Sequence, residues 1–134
     1  MTSITYVGMD VHTTNYTLCC YTIEEDKPFA LVQVKPECNE ILKYLDRIKK
    51  QRGEATQFIC GYEAGCLGYS LYHQLEKHGV ECVIMAPTTM AVTPGKRVKT
   101  DRKDAENISR CLAYHLYKPV HIPTDEDDSI KEYI

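Results

Sequence analysis

The chain has 134 residues, of which 43% are hydrophobic and 26% are charged, and its formal net charge is −3. This length allows one domain with a substantial core, and the composition excludes an intrinsically disordered chain. No apolar run approaches the roughly 20 residues of a membrane helix, and the N-terminus has no secretory signal pattern. We therefore expect a cytoplasmic protein with no membrane partner.

The acidic net charge gives the chain no overall attraction to nucleic acid, so such binding would require a local basic patch. The cysteines include no C-x-x-C pair, and their pattern predicts neither a zinc site nor a redox couple. We expect them to be small apolar core residues in a reducing compartment. The seven cysteines are Cys19, Cys20, Cys38, Cys60, Cys66, Cys82 and Cys111.

Three strands are predicted at the start of the chain, over residues 4–10, 16–23 and 29–34. These segments are rich in β-branched and aromatic side chains, and turn-forming residues separate them. Because the connections are short, the three strands are expected to form an antiparallel meander.

A helix is predicted next, with Asn39 as its N-cap. Its apolar residues Ile41, Leu45 and Ile48 recur at helical spacing. Gly53 follows a basic last turn, which is typical of a helix C-terminus.

The rest of the chain alternates strands and helices. Strands are predicted over 57–61 and 81–85, and a helix between them is expected to stop at Gly79. A third helix is expected to end before Pro119. The apolar positions of these two helices are Leu67, Leu71 and Leu75, and then Ala105, Ile108, Leu112 and Leu116.

The predicted order β-β-β-α-β-α-β-α matches an α/β fold of the ribonuclease-H-like class, a mixed five-stranded sheet flanked by helices. Each β-α-β step favours a right-handed crossover, so strands one, four and five should lie side by side and parallel.

Two acidic residues follow strand segments that are predicted to be neighbours. Asp10 ends the first strand, and Glu63 follows the strand over 57–61. The carboxyl ends of adjacent strands in an open α/β sheet form the crevice in which ligands bind. Taken alone, Asp10 could equally open a turn. His12 could contact a phosphate, hold an acid, or satisfy a loop hydrogen bond.

Asp101 and Asp104 stand three residues apart where the third helix is predicted to begin, so both can face the same direction. An acid at an N-cap and another three residues later also resembles a capping box, and both would favour the positive end of the helix dipole. For Asp101 alone, capping is the stronger interpretation.

Four converging carboxylates would repel one another by about 4 kcal/mol for each pair at 4 Å, at an effective dielectric of 20. They therefore require cations or protons. Hard oxygen ligands without a thiolate favour Mg²⁺ or Mn²⁺. Two such ions could support displacement at a phosphodiester.

Basic residues are concentrated beside the acidic pair. Five of the 16 Lys and Arg residues fall within eight positions, and they are Lys96, Arg97, Lys99, Arg102 and Lys103. A charge run is usually a solvated loop, but its position next to the predicted metal site favours contact with nucleic-acid phosphates. Such contacts would carry no base specificity.

These motifs together resemble the DEDD-type insertion-sequence transposases, the family that includes the bridge-RNA-guided recombinases. The likeness covers nearly all of residues 4–123. It rests on Gly8-Met9-Asp10-Val11-His12, on Tyr62-Glu63-Ala64-Gly65 with Gly68, Tyr69 and Leu75, and above all on the string from Pro94 to Ala105 that contains Lys-Thr-Asp-Arg-Lys-Asp-Ala.

The resemblance implies a RuvC-like domain over 1–123, with Asp10, Glu63, Asp101 and Asp104 as its acidic tetrad. It further implies a DNA transposase or recombinase that excises and inserts a mobile element. The expected partners are DNA and a guide RNA, and a homo-oligomer is expected.

The same resemblance places a serine nucleophile in a second domain, which we expect beyond a helical connector that starts at 124–134. None of the serines in this chain falls within a tetrad motif, and Ser109 should turn away from Asp104 on a helix. Thr13 stands where members of the family often carry Lys.

Other functions remain open at this stage. A stand-alone, structure-selective nuclease like a Holliday-junction resolvase would use the same tetrad. A less favoured alternative is a fragment of an actin-like ATPase or sugar kinase, although His12 stands where those proteins usually have Gly. A guide-RNA-binding module with an idle metal site is a third.

Overall fold

The computed structural model describes residues 4–65, 69–86 and 105–120. The elements in chain order are β1 (Ile4–Val11), β2 (Tyr16–Thr22), β3 (Lys27–Val34), α1 (Cys38–Arg52), β4 (Gln57–Glu63), α2 (Ser70–Lys77), β5 (Glu81–Met85) and α3 (Ala105–Ala113). The predicted order of elements is therefore confirmed. Within these ranges, no helix has the length and apolar character needed to cross a bilayer.

The five strands form one mixed sheet in the order β3-β2-β1-β4-β5. The first three strands pair antiparallel, as a meander with short turns should. The pairs β1-β4 and β4-β5 are parallel, as predicted. Strand β1 is thus central, and the carboxyl ends of β1, β4 and β5 meet at one edge of the sheet.

Apolar clusters cover both faces of the sheet. Helices α1 and α2 pack on one face, where Val7 and Met9 meet Ile41 and Leu75. Helix α3 packs on the other face, in a cluster that includes Tyr6 and Ile108 together with the side chains of Tyr21, Met85 and Leu112. Because side chains alternate along a strand, even-numbered residues of β1 face α3.

The predicted apolar face of α1 is buried, but its predicted cap is wrong. The helix begins at Cys38, one residue before Asn39, and Glu37 is the N-cap residue without a side-chain capping bond. Cys38 packs against the core. We attribute the earlier start to this packing, which places Asn39 inside the first turn.

The third helix ends earlier than its apolar spacing predicts. His115 takes a left-handed conformation with φ 56°, and the Leu116 amide donates to the carbonyl of Cys111 at 2.8 Å. These features form a Schellman-type end. The helix therefore stops at Ala113, and Leu116 is 62% exposed rather than part of the core.

A tyrosine pair holds this end of α3 to the sheet. The hydroxyl groups of Tyr21 and Tyr114 both donate to the Asp26 carboxylate in the β2-β3 turn. Beyond the helix, the Val120 amide donates to the Ile84 carbonyl at 2.9 Å along the open edge of β5. The chain after α3 thereby covers part of a sheet edge, which sequence spacing had not indicated.

The described cysteines are all free. Cys19, Cys20, Cys60 and Cys82 are buried, as expected of small core residues, whereas Cys38 and Cys111 are half-buried. Cys66 and Leu67 lie outside the described residues, as does the predicted connector at 124–134.

Leu112 and Leu116 provide a matched pair that tests the position of α3. Leu112 is 1% exposed, so Leu112→Ala is expected to lower the free energy of unfolding by about 2–5 kcal/mol. Leu116→Ala should change it by no more than about 0.5 kcal/mol, because that side chain is mostly in solvent. Urea titrations of both variants would measure the difference. Equal losses of stability in the two variants would contradict the conclusion that α3 ends at Ala113 and leaves Leu116 in solvent.

Candidate metal centre

Asp10 lies near the carboxyl end of the central strand, on the face covered by α3. Tyr6 of the same strand belongs to the α3 cluster, and Gly8 lies directly beneath the helix. Alternation along the strand therefore puts the Asp10 side chain on this face as well. Its side chain is 31% exposed, so the carboxylate can be reached from solvent.

Glu63 occupies the matching position on the neighbouring strand. It is the last residue of β4, which runs two residues further than predicted. Gly61 on the same strand lies beneath Leu112 of α3, so Glu63 faces the α3 side too. The side chain is half-buried.

The strand register places Asp10 and Glu63 at the carboxyl ends of neighbouring strands. Strands β1 and β4 pair in parallel with Gly8 opposite Gly61 and Met9 opposite Tyr62. Asp10 and Glu63 each directly follow the last pair of this register, and neighbouring strands lie about 4.8 Å apart. Two carboxylates thus project from the same face at adjacent strand ends, which is the arrangement predicted for this pair.

Helix α3 approaches this edge with its N-terminal turn. The Ala105 carbonyl lies over Gly8, two residues before Asp10. Ala105 directly follows Asp104 in the sequence. Asp101 and Asp104 themselves lie outside the described residues, and so do Lys96, Arg97, Lys99, Arg102 and Lys103. Their roles stay predictions.

His12 contacts the first carboxylate. Its Nε2 lies 3.1 Å from Oδ1 of Asp10, and its backbone amide donates to the Asn15 carbonyl at 3.0 Å to close the β1-β2 turn. The sequence left three roles open for His12, and the structure favours the one in which it holds an acid. The sequence signal for this contact was the spacing of two residues between Asp10 and His12, because residues two apart in an extended strand lie on the same face.

The donors at this edge are suited to a hard cation. In the three described ranges, no group of three or more His, Cys, Asp or Glu side chains could hold a metal ion. Those ranges contain only half of the predicted tetrad. The nearby Cys19 pairs with Gly8 on the sheet, and burial raises the pKa of its thiol to about 12. Asp10 and Glu63 supply carboxylate oxygens, the ligand type that fits Mg²⁺ or Mn²⁺.

Ser109 is directed into the protein rather than toward solvent. It is fully buried, and its Oγ donates to the Glu106 carbonyl at 2.8 Å within the helix. A nucleophile requires access to the scissile group, so this hydroxyl is unsuited to that role. The expectation that Ser109 is not the nucleophile is consistent with this burial.

Comparison with known proteins identifies the family. A family model described as Transposase, of the DEDD IS110 type, matches residues 7–133. This chain belongs to the IS110-type DEDD transposase family. The match extends over both strand-end carboxylates, the acidic pair at 101 and 104 and the basic segment over 96–103.

Two curated relatives carry transposase descriptions. The transposase for insertion sequence element IS1533 of Leptospira borgpetersenii is 32% identical over 130 residues, which are 96% of this chain and 37% of that protein. The y4qE protein of Sinorhizobium fredii, described as a transposase, is 36% identical over 77 residues, which are 58% of this chain and 20% of that protein. The chain thus spans less than two fifths of the length of these transposase relatives.

A solved structure supports the fold. RuvC of T. thermophilus, determined in complex with a Holliday junction substrate, aligns with a TM-score of 0.50 at 11% sequence identity. The alignment covers 87% of this transposase-family chain and 99% of RuvC. The mixed sheet with its flanking helices is therefore RuvC-like, as the order of elements predicted.

Proposed function

We propose that this chain is the metal-binding catalytic domain of a DNA transposase or recombinase, with Asp10, Glu63, Asp101 and Asp104 as its ligands for Mg²⁺ or Mn²⁺. The observation that supports it most is that Asp10 and Glu63 each directly follow the last paired residues of β1 and β4, at the carboxyl ends of these two neighbouring strands. Membership of a family described as transposases supports the proposed reaction, which is DNA strand cleavage and exchange of a mobile element.

In this proposal the side chains of the protein bind the metal ions and orient one another. Asp10 and Glu63 supply fixed oxygen ligands from adjacent strands, and His12 restrains the Asp10 carboxylate through its 3.1 Å contact. Bound divalent ions would polarise the scissile phosphate and stabilise the leaving oxygen. Ligands on rigid strands fix the geometry of a metal site better than ligands on loops would.

The acid pair at 101 and 104 would complete the ligand set. Helix α3 starts one residue after Asp104 and lies over β1 at Gly8, which supports a location for this pair close to Asp10. The capping interpretation of Asp101 requires the same side chain to bond backbone amides at the helix start. Capping would explain Asp101 alone, whereas metal ligation by all four acids would also explain why Asp10 and Glu63 lie at neighbouring strand ends.

DNA is the proposed substrate, bound through its phosphates by Lys96, Arg97, Lys99, Arg102 and Lys103. A guide RNA and a homo-oligomer are proposed as further partners, by analogy with the family. The covalent serine nucleophile is proposed to lie in a C-terminal domain outside this sequence. This division assigns metal binding to residues 1–123 and strand transfer to the complete protein.

The test is DNA cleavage and joining by a full-length transposase that carries this chain, on DNA bearing the element ends. We expect products with Mg²⁺ or Mn²⁺ and none after chelation with EDTA. Cleavage of branched DNA without joining would favour the resolvase-like nuclease instead. Activity that persists with EDTA, in a protein freed of metal, would contradict the proposal.

A further inference from the structure

Helix α3 rests on the backbone of β1 at Gly8. A Cβ atom at this position would lie 2.3 Å from the Ala105 carbonyl oxygen and 2.3 Å from the Ser109 amide nitrogen, and 2.8 Å from the Ser109 Cα. Such separations are far inside van der Waals contact, and all three atoms belong to helix backbone. Any side chain at Gly8 would therefore force the helix and the strand apart.

The paired glycine on the next strand differs in this respect. Gly61 lies opposite Gly8 in the β1-β4 register, beneath the same helix. A Cβ atom there would meet the two δ-methyl groups of Leu112 at 3.0 and 3.1 Å and the Met85 Cε at 3.4 Å. These are the ends of flexible side chains, which can move by a few tenths of an ångström. A methyl group at Gly61 need not displace the helix.

The residues of α3 that lie over Gly8 have small side chains. Ala105 and Ser109 are both fully buried, and the Ser109 hydroxyl bonds within α3 to the Glu106 carbonyl. Backbone atoms of α3 therefore lie directly against β1 at Gly8. Protein interiors are packed so closely that adding a single methylene-sized group affects the surrounding structure.

The contact lies at the end of the sheet that carries the strand-end acids. Gly8 is two residues before Asp10 on the same face, and Ala105 directly follows Asp104 in sequence. A change in the distance between α3 and β1 at Gly8 would therefore alter the separation between Asp10 and any ligand carried at the start of this helix.

We propose that Gly8 is a positioning residue: the absence of its side chain seats α3 directly on β1 and thereby fixes the ligand spacing of the metal site. This inference rests on the proposed function, since it concerns the same site. Gly8 touches no substrate and acts through α3. Its replacement should leave the fold intact but widen the site.

Ion selectivity separates this role from a merely structural one. Mg²⁺ requires near-octahedral ligands at about 2.0–2.1 Å, whereas Ca²⁺ accepts flexible ligand sets at about 2.3–2.6 Å. A site widened by Gly8→Ala should lose affinity for Mg²⁺ and Mn²⁺ more than for Ca²⁺. General loosening of the fold would weaken the binding of all three ions together.

The experiment is calorimetric titration of the parent chain, Gly8→Ala and Gly61→Ala with Mg²⁺, Mn²⁺ and Ca²⁺, after circular dichroism has shown folding. We expect Gly8→Ala to weaken Mn²⁺ binding by about 10–100-fold, the range found when groups that orient metal ligands are changed. The affinity ratio should shift toward Ca²⁺. Gly61→Ala should keep the parent affinity and the parent ratio.

Two outcomes would overturn the inference. One is unchanged Mn²⁺ affinity in folded Gly8→Ala. The other is a Gly8→Ala chain that stays unfolded even in trimethylamine N-oxide, which favours folded states; Gly8 would then be required by the whole fold. A parent chain that binds no metal would instead contradict the proposed function, so the two failures are distinguishable.

Discussion

Replacing Asp10 by asparagine, or Glu63 by glutamine, is expected to lower metal-dependent DNA cleavage by a full-length transposase about a thousandfold or more. Each change keeps the size of the side chain and removes one charged ligand. Bound metal supplies several kcal/mol of transition-state stabilisation, and each 1.4 kcal/mol corresponds to a tenfold change in rate. Cleavage rates at saturating Mg²⁺ would measure the loss.

The chain offers matched controls for both changes. Asp46 on α1 is an exposed acid whose carboxylate lies 3.5 Å from the Lys50 Nζ, so Asp46→Asn removes a charge on the opposite face of the sheet. Glu81 is the exposed first residue of β5, at the amino end of the parallel strands, so Glu81→Gln removes a charge from the opposite edge. Both controls should retain near-parent rates. Full activity in Asp10→Asn or Glu63→Gln would remove that residue from the site.

Lys96→Ala combined with Arg97→Ala is expected to flatten the salt dependence of DNA binding. If each side chain neutralises one phosphate, the slope of log affinity against log salt should decrease by roughly 0.7–0.9 for each phosphate that is no longer neutralised. The physical reason is that fewer counterions are released on binding. Affinity measured by fluorescence anisotropy across a salt series would give the slope.

Lys43 and Lys50 provide the control for this prediction. Each lies on α1 and pairs with an acid of the same helix, Lys43 with Glu40 at 3.6 Å and Lys50 with Asp46 at 3.5 Å. Their double replacement by alanine removes the same amount of positive charge and should leave the slope near the parent value. An equal change of slope in both double variants would mean that overall charge, and not the segment over 96–103, controls binding.

The sheet was predictable because its signals are local and repetitive. Apolar alternation gave the strands, and the preference for right-handed crossovers gave the parallel order of β1, β4 and β5. Strand and helix ends were predicted less well. Leu116 continues the helical spacing of Leu112, yet a left-handed His115 ends the helix first. Such ends depend on tertiary contacts, here those of Tyr114 with the β2-β3 turn.

The positions of the two strand-end acids of the candidate site could also be predicted. Asp10 and Glu63 could be paired from sequence because parallel strands bring their carboxyl ends together. The contact between His12 and Asp10 depends on the geometry of a turn, and spacing alone left it undecided. At Gly8 the sequence shows a glycine but not the helix backbone above it, which approaches from more than 90 residues away. The roles of Asp101 and Asp104 remain predictions from sequence.

The most direct test of the metal site is Mn²⁺ titration of this chain by calorimetry, compared among the parent, Asp10→Asn, Glu63→Gln and the control Asp46→Asn. Binding requires no DNA and no further domain, so it isolates the claim that the strand-end acids hold metal. We predict saturable binding in the parent and in Asp46→Asn, with severe weakening in both strand-end variants. Binding that is equal in all four proteins, or absent from the folded parent, would contradict the assignment.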